Sequence, residues 1–289
     1  MFYFFMATVF PFGLCWGSFL NVVAHRLARQ TSLCTLRSKC PHCNSVIAWY
    51  DNIPVLSYFI LRGKCRLCRQ SISPLYPIIE LLTGGVFCGL FFRAMHQQDG
   101  FTSLLAHLGE FVDKDGAGDL VRFYSILQEH FYMGFFVSLL FFSALIVALR
   151  TDLEAMVIPQ CASIWLVPFG AFFSWCGFTG ISWQESMIGA MLGYGILWLI
   201  AFIFKKMANK DGMGVGDMEL LAMIGAFIGP IGAWASLLAA SCMGVLVGFA
   251  YLVIAHKGRF TRIPFGPFLV FGATFYFFFK DMVLAFLFC

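Results

Sequence analysis

The chain has 289 residues, of which 60% are hydrophobic and 12% are charged, with a formal net charge of +4 and a mean hydropathy of +0.83. Soluble globular proteins carry about 25% charged residues. Half that level excludes a soluble protein, because too little polar surface remains to face water. We therefore predict an all-α polytopic membrane protein.

Eight apolar segments approach the roughly 20 residues that a helix needs to cross a bilayer. They cover residues 2–24, 76–95, 131–149, 158–176, 185–204, 218–231, 233–255 and 264–287. The sixth is short, and Gly229-Pro230-Ile231-Gly232 after it is a turn signal. Residues 1–24 lack a basic stretch ahead of the apolar run, so we expect them to stay as a first transmembrane helix.

The basic residues predict an orientation. Fifteen of the nineteen Lys and Arg fall within 25–75 or in short loops on the same side. Because Lys and Arg favour the cytoplasmic side, we place segment 25–75 in the cytoplasm and both termini in the periplasm. The transmembrane core, 76–289, follows. Within it, segment 96–130 holds six acids and is predicted to be an acidic periplasmic loop; Asp113-Lys-Asp115-Gly116 matches only part of a calcium loop.

Four of the eleven cysteines form two C-x2-C knuckles inside segment 25–75, namely Cys40, Cys43, Cys65 and Cys68. Paired knuckles at this spacing predict a four-cysteine zinc site. Four thiolates saturate the ion and leave no position for water, so the metal should be structural. Two disulfides or a metal-free loop are the alternatives, of which disulfides suit the reducing cytoplasm poorly. His42 could also serve as a ligand.

Two aspartates lie at the edges of predicted spans, where acids are rare and costly. Asp152 follows the third span, and Asp217 opens the sixth after Gly214 and Gly216. Both fall at the cytoplasmic edge, so they can meet if the two helices pack together. Two carboxylates that share a site do not both ionise easily. One would keep its proton, and the other would act as general base on a bound water.

Both aspartates also have structural explanations. Asp217 could be a helix N-cap, which Asp favours, and Asp152 could be a loop acid neutralised by Arg150. The catalytic interpretation gains from Gly214 and Gly216, because glycines let the backbone approach a substrate closely.

The motifs resemble, in their order along most of the chain, the bacterial type IV prepilin peptidases. The series comprises Gly17-Ser-Phe-Leu-Asn21-Val-Val-Ala-His25-Arg26-Leu, the two knuckles, Pro74-Leu-Tyr-Pro77 with Glu80, Asp152 with Ile158-Pro159, Gly-x-Gly-Asp ending at Asp217, and Ile263-Pro264-Phe265-Gly266-Pro267. A lone Gly-x-Gly-Asp is weak evidence, whereas this ordered series is specific.

The resemblance implies an inner-membrane aspartic endopeptidase that removes the basic leader of type IV prepilins and type II secretion pseudopilins at the cytoplasmic face. It also implies N-methylation of the new N-terminal residue with S-adenosylmethionine, linked with segment 25–75. Asp152 and Asp217 match the family's catalytic pair. The expected helper or substrate-binding residues are Glu154, Gly214, Gly216, Glu219, Glu80, Asn21 and Arg26. Membrane lipid is an expected partner, and nucleic acid is not.

The chain departs from the family pattern at three places. Glu219 stands where Lys is usual, Ala28 stands where Pro is usual, and segment 96–130 is longer. Because the cytoplasmic face is basic, we expect Glu154 and Glu219 to recognise the basic leader. A proton-coupled transporter is the alternative function, since membrane acids also relay protons; its acids should lie near the midplane.

Overall fold

The computed structural model describes residues 2–32, 38–109, 117–209, 213–255 and 264–288. These residues form helices and two isolated β-bridges, Lys39–Val46 and Lys64–Ser71, so the predicted all-α class is confirmed. The helices are α1 Phe2–Ala28, α2 Leu56–Ile60, α3 Leu75–Gly109, α4 Ala117–Ala155, α5 Val167–Trp175, α6 Trp183–Ala208, α7 Val215–Ala255, α8 Gly266–Phe278 and α9 Lys280–Phe288.

Five helices of the described chain, α1, α3, α4, α6 and α7, are long and apolar enough to cross a membrane. The pair α8 and α9 adds a sixth if the two count as one span, bent by 94°. Eight spans were predicted, two more than this count. The two additional spans arise because residues 158–176 were taken as a full span and α7 was taken as two spans.

Helix α7 is two helices joined at a break. Gly229 has φ 80° and ψ 178°, which only glycine adopts readily, and Pro230 follows it. Ile158 contacts both Gly216 and Gly266, and Gly244 lies against Phe268 in the first turn of α8. Gly216 and Gly244, on either side of the break, therefore lie at the same end of the molecule. The chain reverses at Gly229-Pro230, as the turn signal predicted.

The fourth predicted span contains only a short helix. Residues 158–166 form two 3-10 turns, Gln160–Ala162 and Ile164–Leu166, before α5 begins. Pro159 and Pro168 lack the N–H that a continuous helix would need and favour helix starts. Nine residues extend about 14 Å, so α5 alone is shorter than a bilayer core. It packs through Gly170 onto Ala226 and Phe227 of α7.

Small residues bring neighbouring helices close together. The backbones of Gly189 in α6 and Gly225 in α7 contact each other, and a Cβ on Gly193 would lie 2.5 Å from the Leu221 carbonyl. In the same way, a Cβ on Gly17 of α1 would lie 2.9 Å from the Glu80 Cα in α3. Close glycine packing is typical of membrane helix pairs, where no hydrophobic force between helices exists.

The predicted acidic loop at 96–130 is largely helical backbone. Helix α3 continues to Gly109 and α4 begins at Ala117, because a helix can extend beyond the apolar stretch that hydropathy marks. Residues 110–116, with Asp113 and Asp115, lie outside the described residues.

Candidate active sites at one end of the helices

Asp152 is held near the C-terminal end of α4. Its side chain is buried, and its Oδ2 accepts the backbone N–H of Gly266 at 3.0 Å. The first N–H groups of a helix have no partner within that helix, and Gly266 is the first residue of α8. A Cβ on Gly266 would lie 2.7 Å from this oxygen. Glycine at this position therefore lets the backbone reach the carboxylate.

Asp217 lies in the first turn of α7 and is half-buried. Its backbone N–H reaches the carbonyl of Gly214 at 3.3 Å, and its Oδ2 lies 3.6 Å from where a Cβ on Gly214 would be. Gly216 packs on Ile158, which also contacts Gly266. The carboxylate of Asp152 is close enough to act electrostatically on Asp217. The structure thus brings the two predicted aspartates together, between α4, α7 and α8.

The structural explanations for the two aspartates do not fit these contacts. Helix α7 begins at Val215, so Asp217 lies inside the first turn rather than at the cap. Arg150 forms its ion pair with Glu154, at 2.6 Å between Nη1 and Oε2. Among the described residues, no basic side chain forms an ion pair with Asp152.

Glu154 is tied to the other helices of this end. Its Oε1 lies 2.7 Å from Nδ1 of His25 in α1 and 4.0 Å from Nε of Arg29. Arg150 is almost fully buried and donates from Nε to Oδ1 of Asn21 at 3.1 Å. Asn21 in turn donates to the carbonyl of Tyr76 in α3 at 3.1 Å. This network of side chains joins α1, α3 and α4.

Helix α4 therefore presents two different faces. Residues four apart lie on the same face of a helix, and residues two apart lie about 200° apart. Arg150 and Glu154 face α1 and α3, whereas Asp152 faces the start of α8. The two groups are separated by the width of α4.

Glu219, two residues after Asp217 in α7, is buried. Its Oε2 accepts the hydroxyl of Ser163 at 3.1 Å, and Ser163 is fully buried in the 3-10 segment that precedes α5. Neither Glu154 nor Glu219 is a freely exposed acid, because both bond to neighbouring side chains within the protein.

The four knuckle cysteines converge as predicted. Their Sγ atoms all lie within 4.8 Å of one another, and Cys40 and Cys68 are 3.8 Å apart. Tetrahedral zinc with Zn–S bonds of about 2.3 Å requires S–S separations of about 3.8 Å, whereas a disulfide requires about 2.05 Å. Hydrogen bonds from Ser45 lower the pKa of the Cys43 thiol to about 6, which favours the thiolate that binds metal, whereas burial and the neighbouring thiols raise the pKa of Cys68 to about 11. The donor set thus fits a metal ion.

An ion pair stabilises segment 25–75, which we call the cysteine segment. Nε and Nη2 of Arg66, in the second knuckle, donate to the two carboxylate oxygens of Asp51 at 2.7 and 2.5 Å. The hydrogen bond from Arg66 also keeps the pKa of Asp51 below its usual value. This bidentate geometry fixes the second knuckle against the 3-10 turn Trp49–Asn52.

A cavity of about 610 Å³ separates the cysteine segment from the ends of α1, α3 and α4. We call it the interdomain cavity. Its walls include three of the predicted helper residues, Arg26, Glu80 and Glu154. Asn21 lies just behind it, bonded to Arg150. The predicted helpers therefore fall into two groups, with Gly214, Gly216 and Glu219 near Asp217.

The sequence did not single out several residues that the site depends on. They are His25, Val55, Ile158, Ser163 and Gly266. His25, Ile158 and Gly266 occur in the motif series, so the motifs were the available signal. Arg150 was considered as a neutralising partner of Asp152, whereas it pairs with its i+4 neighbour Glu154, as helical geometry favours.

Comparisons with known proteins agree with this arrangement. Residues 12–94 match the bacterial peptidase A24 N-terminal domain, and residues 139–249 match the type IV leader peptidase family. A protein of Aeromonas hydrophila named prepilin leader peptidase/N-methyltransferase is 32% identical, over 92% of this chain and 87% of its own. Proteins of that name from Burkholderia pseudomallei strain K96243 and Klebsiella pneumoniae are 33% and 32% identical, covering 93% and 76% of this chain and 84% of each relative. No solved structure matches the chain.

Proposed function

Because this chain belongs to the type IV leader peptidase family, we propose that it is a membrane-embedded aspartic endopeptidase whose catalytic pair is Asp152 and Asp217. Its substrates are type IV prepilins and type II secretion pseudopilins, and it also N-methylates the mature product. The observation that carries the proposal is the convergence of the two carboxylates at the helix ends, with Gly266 donating to Asp152.

Hydrolysis requires one carboxyl of the pair to be ionised and the other protonated. The ionised carboxylate takes a proton from a water molecule, whose oxygen attacks the carbonyl carbon of the last leader residue. The protonated carboxyl gives its proton to the carbonyl oxygen. The C–N bond then breaks as the amine nitrogen takes up a proton, and the pair returns to its starting state. Gly214 leaves room for the substrate backbone beside Asp217, because a Cβ there would meet Oδ2 of Asp217 only at 3.6 Å, whereas Gly216 packs on Ile158.

The position of the pair suits a substrate with a membrane stem and a basic leader. Several apolar helices make this a multi-pass membrane protein, and we assign it to the bacterial inner membrane, as the family resemblance implies. The basic residues on the side of the aspartates support a cytoplasmic position for that side, where anionic lipid attracts a basic leader. The scissile bond of a membrane-anchored prepilin then lies level with Asp152 and Asp217.

We assign the second activity to the cysteine segment, which the family resemblance links with methyl transfer. We assign zinc to Cys40, Cys43, Cys65 and Cys68, where it would cross-link the two knuckles. S-adenosylmethionine is the methyl donor that the relatives' methyltransferase name implies. Metal analysis of the purified protein tests the zinc assignment: about one zinc per chain is expected from four-cysteine coordination, lost in Cys40→Ser. Zinc content unchanged by this variant would contradict the assignment.

The first experiment incubates the detergent-solubilised protein with a synthetic prepilin peptide, with and without S-adenosylmethionine, beside Asp152→Ala and Asp217→Ala variants. Mass spectrometry identifies the products. Leader loss with the wild type alone, and a methyl mass on the new N-terminus only with the donor, are expected. Cleavage by either variant at the wild-type rate would rule out the catalytic pair.

The transporter alternative lacks support. Both aspartates lie at the helix ends rather than halfway along them, whereas transport sites lie near the midplane. The family models that match this chain are both peptidase models.

A further inference from the structure

The interdomain cavity is a second concave site at the same end of the molecule. At about 610 Å³ it lies within the range of about 300–1,000 Å³ that small-molecule and cofactor sites occupy. Arg150 and Glu154 form part of its wall, on the face of α4 opposite Asp152. The hydrolytic mechanism of Asp152 and Asp217 does not use it.

Three acids line this cavity, and two of them are neutralised. Asp51 pairs with Arg66, and Glu154 pairs with Arg150 and His25. Glu80 differs, because its Oε2 accepts the backbone N–H of Val55 at 2.8 Å and its other partner is the hydroxyl of Ser18. Within the described chain, no basic side chain pairs with Glu80.

The contact between Glu80 and Val55 is built into the fold. Glu80 is only 7% exposed, in the first turns of α3. Val55 has φ 62° and ψ −53°, a positive-φ conformation that a β-branched residue rarely adopts. Such strain persists only where the surroundings enforce it, and it occurs often at functional sites. At Val55 this conformation points the backbone N–H at the buried carboxylate of Glu80.

The remaining walls supply other groups that a methyl donor requires. Tyr58 offers aromatic surface for a purine ring. Tyr50 and Tyr76 also line the cavity, each with a guanidinium group over one face of its ring. Arg29, whose Nε lies 4.0 Å from Oε1 of Glu154, is the wall residue that suits the donor's carboxylate. A buried carboxylate without a cationic partner attracts a cation. The substrate of N-methylation carries one at its new N-terminal ammonium.

We propose that the interdomain cavity binds S-adenosylmethionine and the mature N-terminus, and that Glu80 takes the proton from the N-terminal ammonium. This rests on the methyl-transfer part of the proposed function. The freed amine nitrogen forms a bond with the sulfonium methyl carbon as the C–S bond breaks and its electron pair stays on sulfur. The proton from the ammonium goes to the Glu80 carboxylate. The product is a methylated ammonium and a neutral thioether.

The two reactions then occur on opposite faces of α4. The new N-terminus forms beside Asp152 and must pass around the end of this helix, across roughly 10 Å, to reach Glu80. Leader removal and methylation are therefore successive steps at separate places, and a mature peptide supplied from solution can enter the second step directly.

The test supplies a mature peptide with a free N-terminal Phe, so that methylation is measured without prior cleavage. The wild type, Glu80→Gln and the matched control Glu185→Gln are compared at about pH 7 and about pH 9, on either side of the usual pKa of an N-terminal amine, with leader cleavage assayed beside them. Glu185 caps α6, and Gln serves that role as well. Titration with S-adenosylmethionine measures binding separately, and ultraviolet cross-linking of the labelled donor with peptide mapping shows where it binds.

An N-terminal amine with a pKa of about 8 is roughly one-tenth neutral at about pH 7 and mostly neutral at about pH 9. Glu80→Gln should therefore lose at least about tenfold in methylation at the lower pH and recover to within about threefold of the wild type at the higher pH. Cleavage and donor binding should be unchanged, and cross-links should fall on walls of the interdomain cavity. Glu185→Gln should match the wild type throughout.

Three results would overturn the proposal. A defect of equal size at both pH values would leave Glu80 a structural role only. Methylation by Glu80→Gln at the wild-type rate, or cross-links confined to helices away from the cavity, would remove Glu80 or the cavity from the reaction. A wild type that cleaves prepilin but neither binds the donor nor methylates the mature peptide would instead refute the methyl-transfer part of the proposed function and leave the peptidase intact.

Discussion

Asp152 and Glu154 are two residues apart at the end of α4, yet their surroundings differ in kind. Asp152 accepts one backbone N–H, from Gly266, and forms no ion pair within the described chain. Glu154 contacts Arg150 and His25 and lies within 4.0 Å of Arg29. A carboxylate without a cation is available for proton transfer, whereas one that pairs with a buried guanidinium and bonds to a histidine ring is held in place. The helix separates an acid suited to chemistry from an acid that joins α1 to α4.

The sharpest test of this comparison replaces Asp152 by its amide. Asp152→Asn keeps an oxygen that can accept the Gly266 N–H but removes the ionisable group. We expect leader cleavage to fall by about 10²–10⁴-fold, the usual contribution of general acid–base catalysis, with little change in the unfolding temperature. Mass spectrometry of a prepilin peptide measures the rate. Wild-type cleavage by this variant would show that Asp152 is not part of the chemistry.

A second prediction concerns the backbone that holds Asp152. In Gly266→Ala the new Cβ would lie 2.7 Å from Oδ2 and 3.2 Å from Cγ of Asp152, so the carboxylate must move. Displacement of a catalytic group by about 1 Å can cost about 10²-fold, and we expect a loss of about ten- to a hundredfold in cleavage. Gly85→Ala is the matched control, since nothing lies within 4 Å of its Cβ. Equal rates for both variants would count against the contact.

Glu154→Gln should act on stability more than on rate. The amide leaves buried Arg150 without its carboxylate, and breaking a buried ion pair costs about 3 kcal/mol or more. We expect a clearly lower midpoint of thermal unfolding in detergent and less than about tenfold loss in cleavage, below the lower limit set for Asp152→Asn. Glu185→Gln, remote from this network, is the control. A large loss of cleavage with unchanged stability would reverse the roles assigned to the two acids.

The smallest effect is expected at Glu219. In Glu219→Gln the amide oxygen can still accept the hydroxyl of Ser163, so this variant should change stability little. If Glu219 recognises the basic leader, cleavage of such a leader should fall by about threefold, the value of one modest polar interaction. A peptide whose leader lysines are neutral should show no difference. The same loss with both peptides would mean that Glu219 supports the site without recognising charge.

The sequence predicted the helical segments well where a local signal was present. Gly229-Pro230 indicated the reversal inside α7, because a positive φ followed by Pro ends a helix whatever surrounds it. The span at 158–176 was different. Its hydropathy resembles that of a full span, but Pro159 and Pro168 shorten the helix to Val167–Trp175. Hydropathy alone marks which residues avoid water, not which ones form a single helix.

The sequence indicated which chemical groups the chain uses, but not how these groups are arranged in space. Composition alone required a membrane protein, the paired knuckles indicated a metal site, and the ordered motifs named the two aspartates and Glu80 as residues of interest. Which residues meet depends on contacts across more than a hundred positions, such as Gly266 with Asp152 and His25 with Glu154. Such pairs are set by helix packing, since the direction of each side chain follows from the rotation of its helix against its neighbours. Only the tertiary structure therefore decided that Arg150 pairs with Glu154 and that α4 separates the aspartates from the interdomain cavity.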